Sequence, residues 1–183
     1  TTTKDELFQI MIVDPVGNIY AAGYTTASTN ISYNNPSIQT TLTGSQDGWI
    51  MKLNGSGVVQ WSRYFNSGAA KTSTILSMEL NPSDTNLTIA GITSGLAAAN
   101  ITAGAAQTTY GGGSMDLFVA KISLTGVMTN WGTYFGGSGT ETNMMGLNID
   151  ANDDIYFLGY TASTDYPVPL INKPMQSINF GSN

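Results

Sequence analysis

The sequence predicts an all-β fold built from a tandem unit of four short antiparallel strands. Three observations predict it. Ile19-Tyr20-Ala21-Ala22-Gly23-Tyr24-Thr25 returns as Leu87-Thr88-Ile89-Ala90-Gly91-Ile92-Thr93 and as Ile155-Tyr156-Phe157-Leu158-Gly159-Tyr160-Thr161, with the glycines 68 residues apart each time. A fixed period of this size marks stacked supersecondary units. Thr, Ser, Asn and Gly supply 78 of the 183 residues, a composition suited to turns and strands. No window keeps a 3.6-residue apolar period, so no substantial helix is expected.

Taken in order, the first strand of each unit is an aliphatic run, at 8–13, 75–80 and 144–149. A turn closes each run: Asp14-Pro15-Val16-Gly17-Asn18, then Asn81-Pro82-Ser83-Asp84, then Asp150-Ala151-Asn152-Asp153-Asp154. The repeated glycine motif is the second strand. A Ser/Thr/Asn-rich connection of about 20 residues follows, long enough to be a functional loop, and Gln39, Gln107 and Gln176 mark it in the three copies. The third and fourth strands form a hairpin, 49–53 joined to 58–65 by Asn54-Gly55-Ser56-Gly57, with Ser123-Leu124-Thr125-Gly126 in the second copy. Lys52 and Lys121 lie 69 apart but Trp61 and Trp131 lie 70 apart. One inserted residue is therefore expected in the second turn.

Tandem four-stranded antiparallel units are the plan of a β-propeller blade. Residues 6–68 make one blade, 73–139 a second and 141–183 part of a third, so about two and a half blades are visible and 1–183 reads as part of one β-propeller. Propellers carry roughly 4 to 8 blades, and the chain opens on Thr1-Thr2-Thr3 without Met. It is read as a piece of a longer protein whose blade faces are incomplete.

Composition narrows the chemistry. Twelve acidic and six basic side chains give a net charge of -6, the wrong sign and too few cations for a nucleic-acid partner. With no His and no Cys, imidazole bases, thiolate nucleophiles and disulfides are excluded. No apolar run approaches the ~20 residues of a spanning helix, so no direct membrane insertion is expected.

Asp14, Gly17, Asn18, Tyr20, Gly23, Tyr24 and Thr25, then Ser163, Asp165, Tyr166 and Pro167, are joined by Gly112, Gly113, Asp116, Phe118, Val119, Ala120 and Lys121, and by Tyr134, Phe135, Gly136, Gly137, Ser138 and Gly139. Together they resemble the bacterial seven-bladed β-propeller repeat, or SBBP repeat, over nearly the whole chain. The long loops depart from that pattern: 26–45 lacks the Asp-Phe-Pro element and 94–115 replaces it with an Ala-rich stretch. The resemblance implies a secreted or surface-exposed adhesion, binding or structural module, and it carries over no catalytic residue.

Four sets of residues are candidate sites. Asp150, Asn152 and Asp154 place oxygens at the first, third and fifth positions of a possible calcium turn, but Ile155 stands where a calcium loop needs Gly; an Asx turn is the plainer reading. Trp49, Trp61 and Trp131 with Tyr20, Tyr64, Tyr134 and Tyr156 would make a sugar-stacking platform or, as repeat equivalents, inter-sheet packing. Asp47 and Asp116, with Lys52 and Lys121, offer either a carboxylate pair for glycoside hydrolysis or turn caps. Asn30, Asn54, Asn86 and Asn100 open glycosylation sequons.

The expected function is a noncatalytic extracellular or cell-surface module, with other protein chains or surface glycans as partners and no cofactor beyond the possible calcium. The alternatives are a filament or surface-layer subunit completed by strands of a neighbouring copy, and a carbohydrate-binding or carbohydrate-active propeller.

Overall fold

The computed structural model describes residues 5–28, 41–83 and 85–167, with the backbone alone at 128–130. The expectations for Asn30, Gln39, Gln176 and the 168–183 tail of the third unit lie outside the described residues. Ten strands form in sequence order: β1 Glu6–Val13, β2 Ile19–Thr25, β3 Asp47–Leu53, β4 Val59–Phe65, β5 Ser73–Leu80, β6 Asn86–Thr93, β7 Asp116–Ser123, β8 Met128–Phe135, β9 Glu141–Ile149 and β10 Ile155–Thr161. A 3-10 turn, Ala98–Asn100, is the one helical element among the described residues. The strands assemble as two four-stranded antiparallel meanders, β1-β2-β3-β4 and β5-β6-β7-β8, and a hairpin of β9 and β10.

The strands start earlier than the aliphatic runs do. Glu6, Asp47, Ser73, Asp116 and Glu141 each open a strand, and all but Glu6 are 0–1% exposed. Buried polar groups are tolerated only where donors meet them, and loop residues from outside the strand supply most of those donors here.

The inserted residue is a bulge and not part of the turn. Both hairpin turns close alike, Asn54 N–H on the Val58 carbonyl (2.9 Å) and Ser123 N–H on the Val127 carbonyl (2.8 Å). In β3–β4 the pairing passes from Lys52↔Trp61 to Leu53↔Val59, skipping one residue, whereas in β7–β8 it passes from Lys121↔Trp131 to Ile122↔Met128, skipping two. A bulge absorbs an extra residue by local twist, leaving the turn chemistry untouched.

A second bulge sits in the first strand of every unit, between Phe8 and Ile10, Ile75 and Ser77, and Met144 and Gly146. The repeated glycine lies opposite it. A Cβ on Gly23 would fall 1.8 Å from the Leu7 carbonyl oxygen, and one on Gly91 1.9 Å from that of Thr74, so backbone approach explains these glycines.

The units pack face to face, with β5 against β1, β2 and β3, and β9 against β5, β6 and β7. Tyr20, Ala22, Ile50, Trp61 and Phe65 of the first sheet meet Ile75, Met78, Leu87, Ile89 and Phe118 of the second, with Phe65 and Phe118 stacked at 5.1 Å. The second joint repeats this arrangement one unit later. Ala90, Leu117 and Val119 meet Met144, Leu147 and Phe157.

Candidate functional site

The polar residues that open the third strands lie at the loop end of the sheets. Asp47, 0% exposed, is held by its own loop and by the end of β4. The N–H groups of Thr43 (2.8 Å) and Ser67 (2.8 Å), the Asn66 amide (2.8 Å) and the Ser67 hydroxyl (2.5 Å) all donate to its carboxylate. Asp116 occupies the equivalent place, also 0% exposed. The Gly111 N–H donates to its Oδ2 at 2.6 Å, while Oδ1 meets no donor. Burial, followed by the neighbouring Glu141 charge, pushes the Asp116 carboxyl up to about 6 against the opposing pull of the Gly111 N–H.

Glu141 was not among the residues read as functional. It opens β9 at 0% exposure, and the hydroxyls of Thr161 and Ser163 donate to its Oε1 at 2.6 Å each. Its Oε2 meets no donor. The available signal is a carboxylate at the repeat position of Ser73, 68 residues earlier. Asp47 and Asp116 stand in separate sheets, each closed over by its own loop, so the geometry does not present them together to a substrate.

The turns at the other end use one design. Asp14 Oδ1 accepts the N–H groups of Val16 (3.1 Å) and Asn18 (2.7 Å), Asn81 Oδ1 those of Thr85 (3.0 Å) and Asn86 (2.8 Å), and Asp150 Oδ1 those of Asn152 (2.8 Å) and Asp154 (3.0 Å). These hydrogen bonds, the Asp154 N–H foremost at Asp150, hold the Asp150 carboxyl below the ordinary range. Asp153 takes the left-handed conformation that Gly17 takes in the first turn (φ 67° against 89°), and its carboxylate pairs with Lys121 at 2.5 Å. The three proposed calcium ligands therefore lie on an Asx turn. Among the described residues no three Asp or Glu side chains converge as a metal cluster.

The aromatic residues divide by what covers them. Tyr20, Trp49, Trp61, Tyr64 and Tyr134 are 0–6% exposed, so packing accounts for them. Trp49 stacks on Phe8 at 4.7 Å, and Tyr20 tilts against Trp61 at 6.3 Å. Lys52 lies over the Tyr20 ring at 5.1 Å. Trp131 is half-buried and Tyr156 exposed.

Beside Trp131 opens a cleft of about 570 Å³, lined by Lys121, Trp131, Phe135, Asp153 and Phe157 among others. Its counterpart in the first joint is filled. There the Trp61 indole N–H donates to the Leu124 carbonyl (2.9 Å), the Arg63 guanidinium donates to the Gly126 carbonyl (2.5 Å), and Gly126 lies against the ring. The turn of the next sheet thus caps the tryptophan in the first joint. No described residue does so for Trp131.

Of the sequons, Asn54 and Asn86 are partly exposed, although Asn54 Oδ1 is engaged by the Ser56 and Val58 N–H groups. Asn100 is 1% exposed, and its amide donates to the Asn66 carbonyl at 2.7 Å.

No protein-family model matches the chain, and a comparison with curated proteins finds no match to it.

Proposed function

We propose that the chain is part of a noncatalytic β-propeller module of the extracellular or cell-surface kind, with SBBP-like repeats as blades. Its partners are other protein chains or surface glycans. The observation that carries this reading is that two successive joints bury the same repeat positions while the acidic side chains Asp47, Asp116 and Glu141 are closed inside them. Such a stack is a rigid scaffold whose variable loops supply contacts. The test is binding of the purified chain to immobilised bacterial cells, glycoproteins and polysaccharides, beside T108K/T109K, which alters two exposed residues of the long loop. Saturable binding, weakened in the variant with an unchanged melting curve, is expected. Absence of saturable binding overturns the adhesive reading, and turnover of an offered polysaccharide overturns the noncatalytic one.

A second reading, self-assembly, is favoured by the two end faces. Phe8, Met11 and Val13 of β1 are 45–62% exposed at the positions that Ile75, Met78 and Leu80 fill in β5, and Tyr156 and Leu158 of β10 are 58% and 69% exposed at the positions of Tyr20 and Ala22. Each half of the internal joint is thus open at one end. A concentration-dependent sedimentation rate tests this reading.

A further inference from the structure

The two joints differ at one buried place. In the first, Asp47 takes donors from Asn66 and Ser67, and its neighbour across the joint is the Ser73 hydroxyl, which accepts the Gly48 N–H (2.9 Å) and donates to the Phe65 carbonyl (3.1 Å). In the second, Gly136 and Gly137 replace Asn66 and Ser67, and Glu141 replaces Ser73. Asp116 therefore has neither side-chain donor, Gly136 lies directly over its carboxyl, and the neighbour across the joint is a second acid. Each carboxyl is fully buried with one oxygen lacking a donor, and the Glu141 N–H donates to the carbonyl of Met115 (2.8 Å), the residue before Asp116, which sets the two acids beside each other at the joint.

We propose that Asp116 and Glu141 hold one proton between them, making a pH-sensitive latch that fastens the β9–β10 hairpin to the second sheet. The protonated carboxyl donates to the ionised one, which gives the two orphaned oxygens each other as partners. Loss of that proton to water leaves two negative charges buried side by side. No cation is needed for the closed form.

The titratable groups facing the pair are phenols: Tyr110 from the loop before β7, Tyr134 from β8 and Tyr166 after β10. Burial and then the acidic charges push Tyr110 up to about 12, and Tyr166 is raised by the same causes; Tyr134 is raised by burial and Asp116 despite its bond to Leu96. All three stay neutral over the range concerned. The raised Asp116 value, about 6 against an ordinary 3.8, sets the sign. Below about pH 4 Asp116 is protonated in folded and unfolded chains alike and the contribution is fully present; between about pH 4 and 6 only the folded Asp116 keeps its proton, so docking weakens as pH rises.

The experiment is amide hydrogen exchange of β9 in the full chain from pH 4.5 to 7, corrected for intrinsic exchange, together with infrared spectra of the carboxyl region. Opening of β9 is expected to rise toward about tenfold per pH unit in the middle of that window. D116N and E141Q are expected to flatten the profile and to remove a protonated-carboxyl band seen in the wild type at pH 5. A flat wild-type profile overturns the latch, as does absence of the band, which needs no variant to fold. Restoration of β9 protection at pH 7 by added calcium or sodium chloride, without the band, overturns it in favour of a cation.

Discussion

Two aspartates at one repeat position are used in opposite ways. Asp47 is surrounded by backbone and side-chain donors, whereas Asp116 has one short N–H bond and an acid beside it. Asp47→Asn places an amide N–H₂ against groups that already donate, and the expected cost is about 3 kcal/mol. Asp116→Asn removes a buried charge repulsion and should raise stability at pH 7. Urea denaturation midpoints of the two variants at that pH check both signs. Asp150 makes a third residue-scale case. Its Oδ1 already accepts two N–H groups, so added calcium is expected to leave the melting temperature unchanged, and a calcium-dependent rise would overturn the Asx-turn assignment. The sequence distinguishes Asp150 well, because Asp14 and Asn81 stand at the same place without its acidic neighbours. It does not distinguish Asp47 from Asp116, since the difference lies in Asn66, Ser67 and Ser73 becoming Gly136, Gly137 and Glu141, residues that meet the acid only after folding.

At the scale of elements, the period of 68 to 70 residues made the strand order legible, because the apolar alternation and turn residues recur together. Strand starts were less legible. A hydrophobic pattern begins at Phe8, Ile75 and Met144, while the pairing begins at Glu6, Ser73 and Glu141; polar residues that open a strand carry no local apolar signal. The bulge in β8 was hidden for a related reason, since an extra residue reads alike in a turn and in a strand until the register is known. The repeated glycine tests the register directly. In Gly91→Ala the new methyl meets the Thr74 carbonyl oxygen at 1.9 Å, a backbone atom, whereas in Gly159→Ala it meets the end of the Leu117 side chain at 2.6 Å and the Asn143 carbonyl oxygen only at 2.9 Å. Overpacking that only a large backbone movement can relieve should cost about 3 kcal/mol, at the upper end of the usual range, and repacking of a leucine with a slight backbone adjustment about 1 kcal/mol. Thermal melts of the two variants measure the difference, and equal losses would mean that β5 yields as easily as a side chain.

At the scale of the whole molecule, a stack of repeats has two unlike ends that are halves of one joint. Contact between such ends is heterologous, so nothing intrinsic limits it to a dimer. The self-assembly reading therefore makes a prediction about pairs of variants that a single variant does not. Met11→Lys charges the β1 face and leaves the β10 face intact; Leu158→Lys does the reverse. Each variant alone retains one sound face with no sound counterpart, so each should sediment as a monomer at concentrations where the wild type grows. Mixed in equal amounts, the sound β10 face of M11K meets the sound β1 face of L158K, and the remaining ends are both charged. Assembly should then stop at a one-to-one dimer. Sedimentation velocity of the wild type, the two variants and their mixture separates the possibilities: a mixture that stays monomeric while the wild type grows would show that some other surface joins the copies. A wild type that stays monomeric throughout would remove self-assembly and leave the end faces to a partner of different sequence.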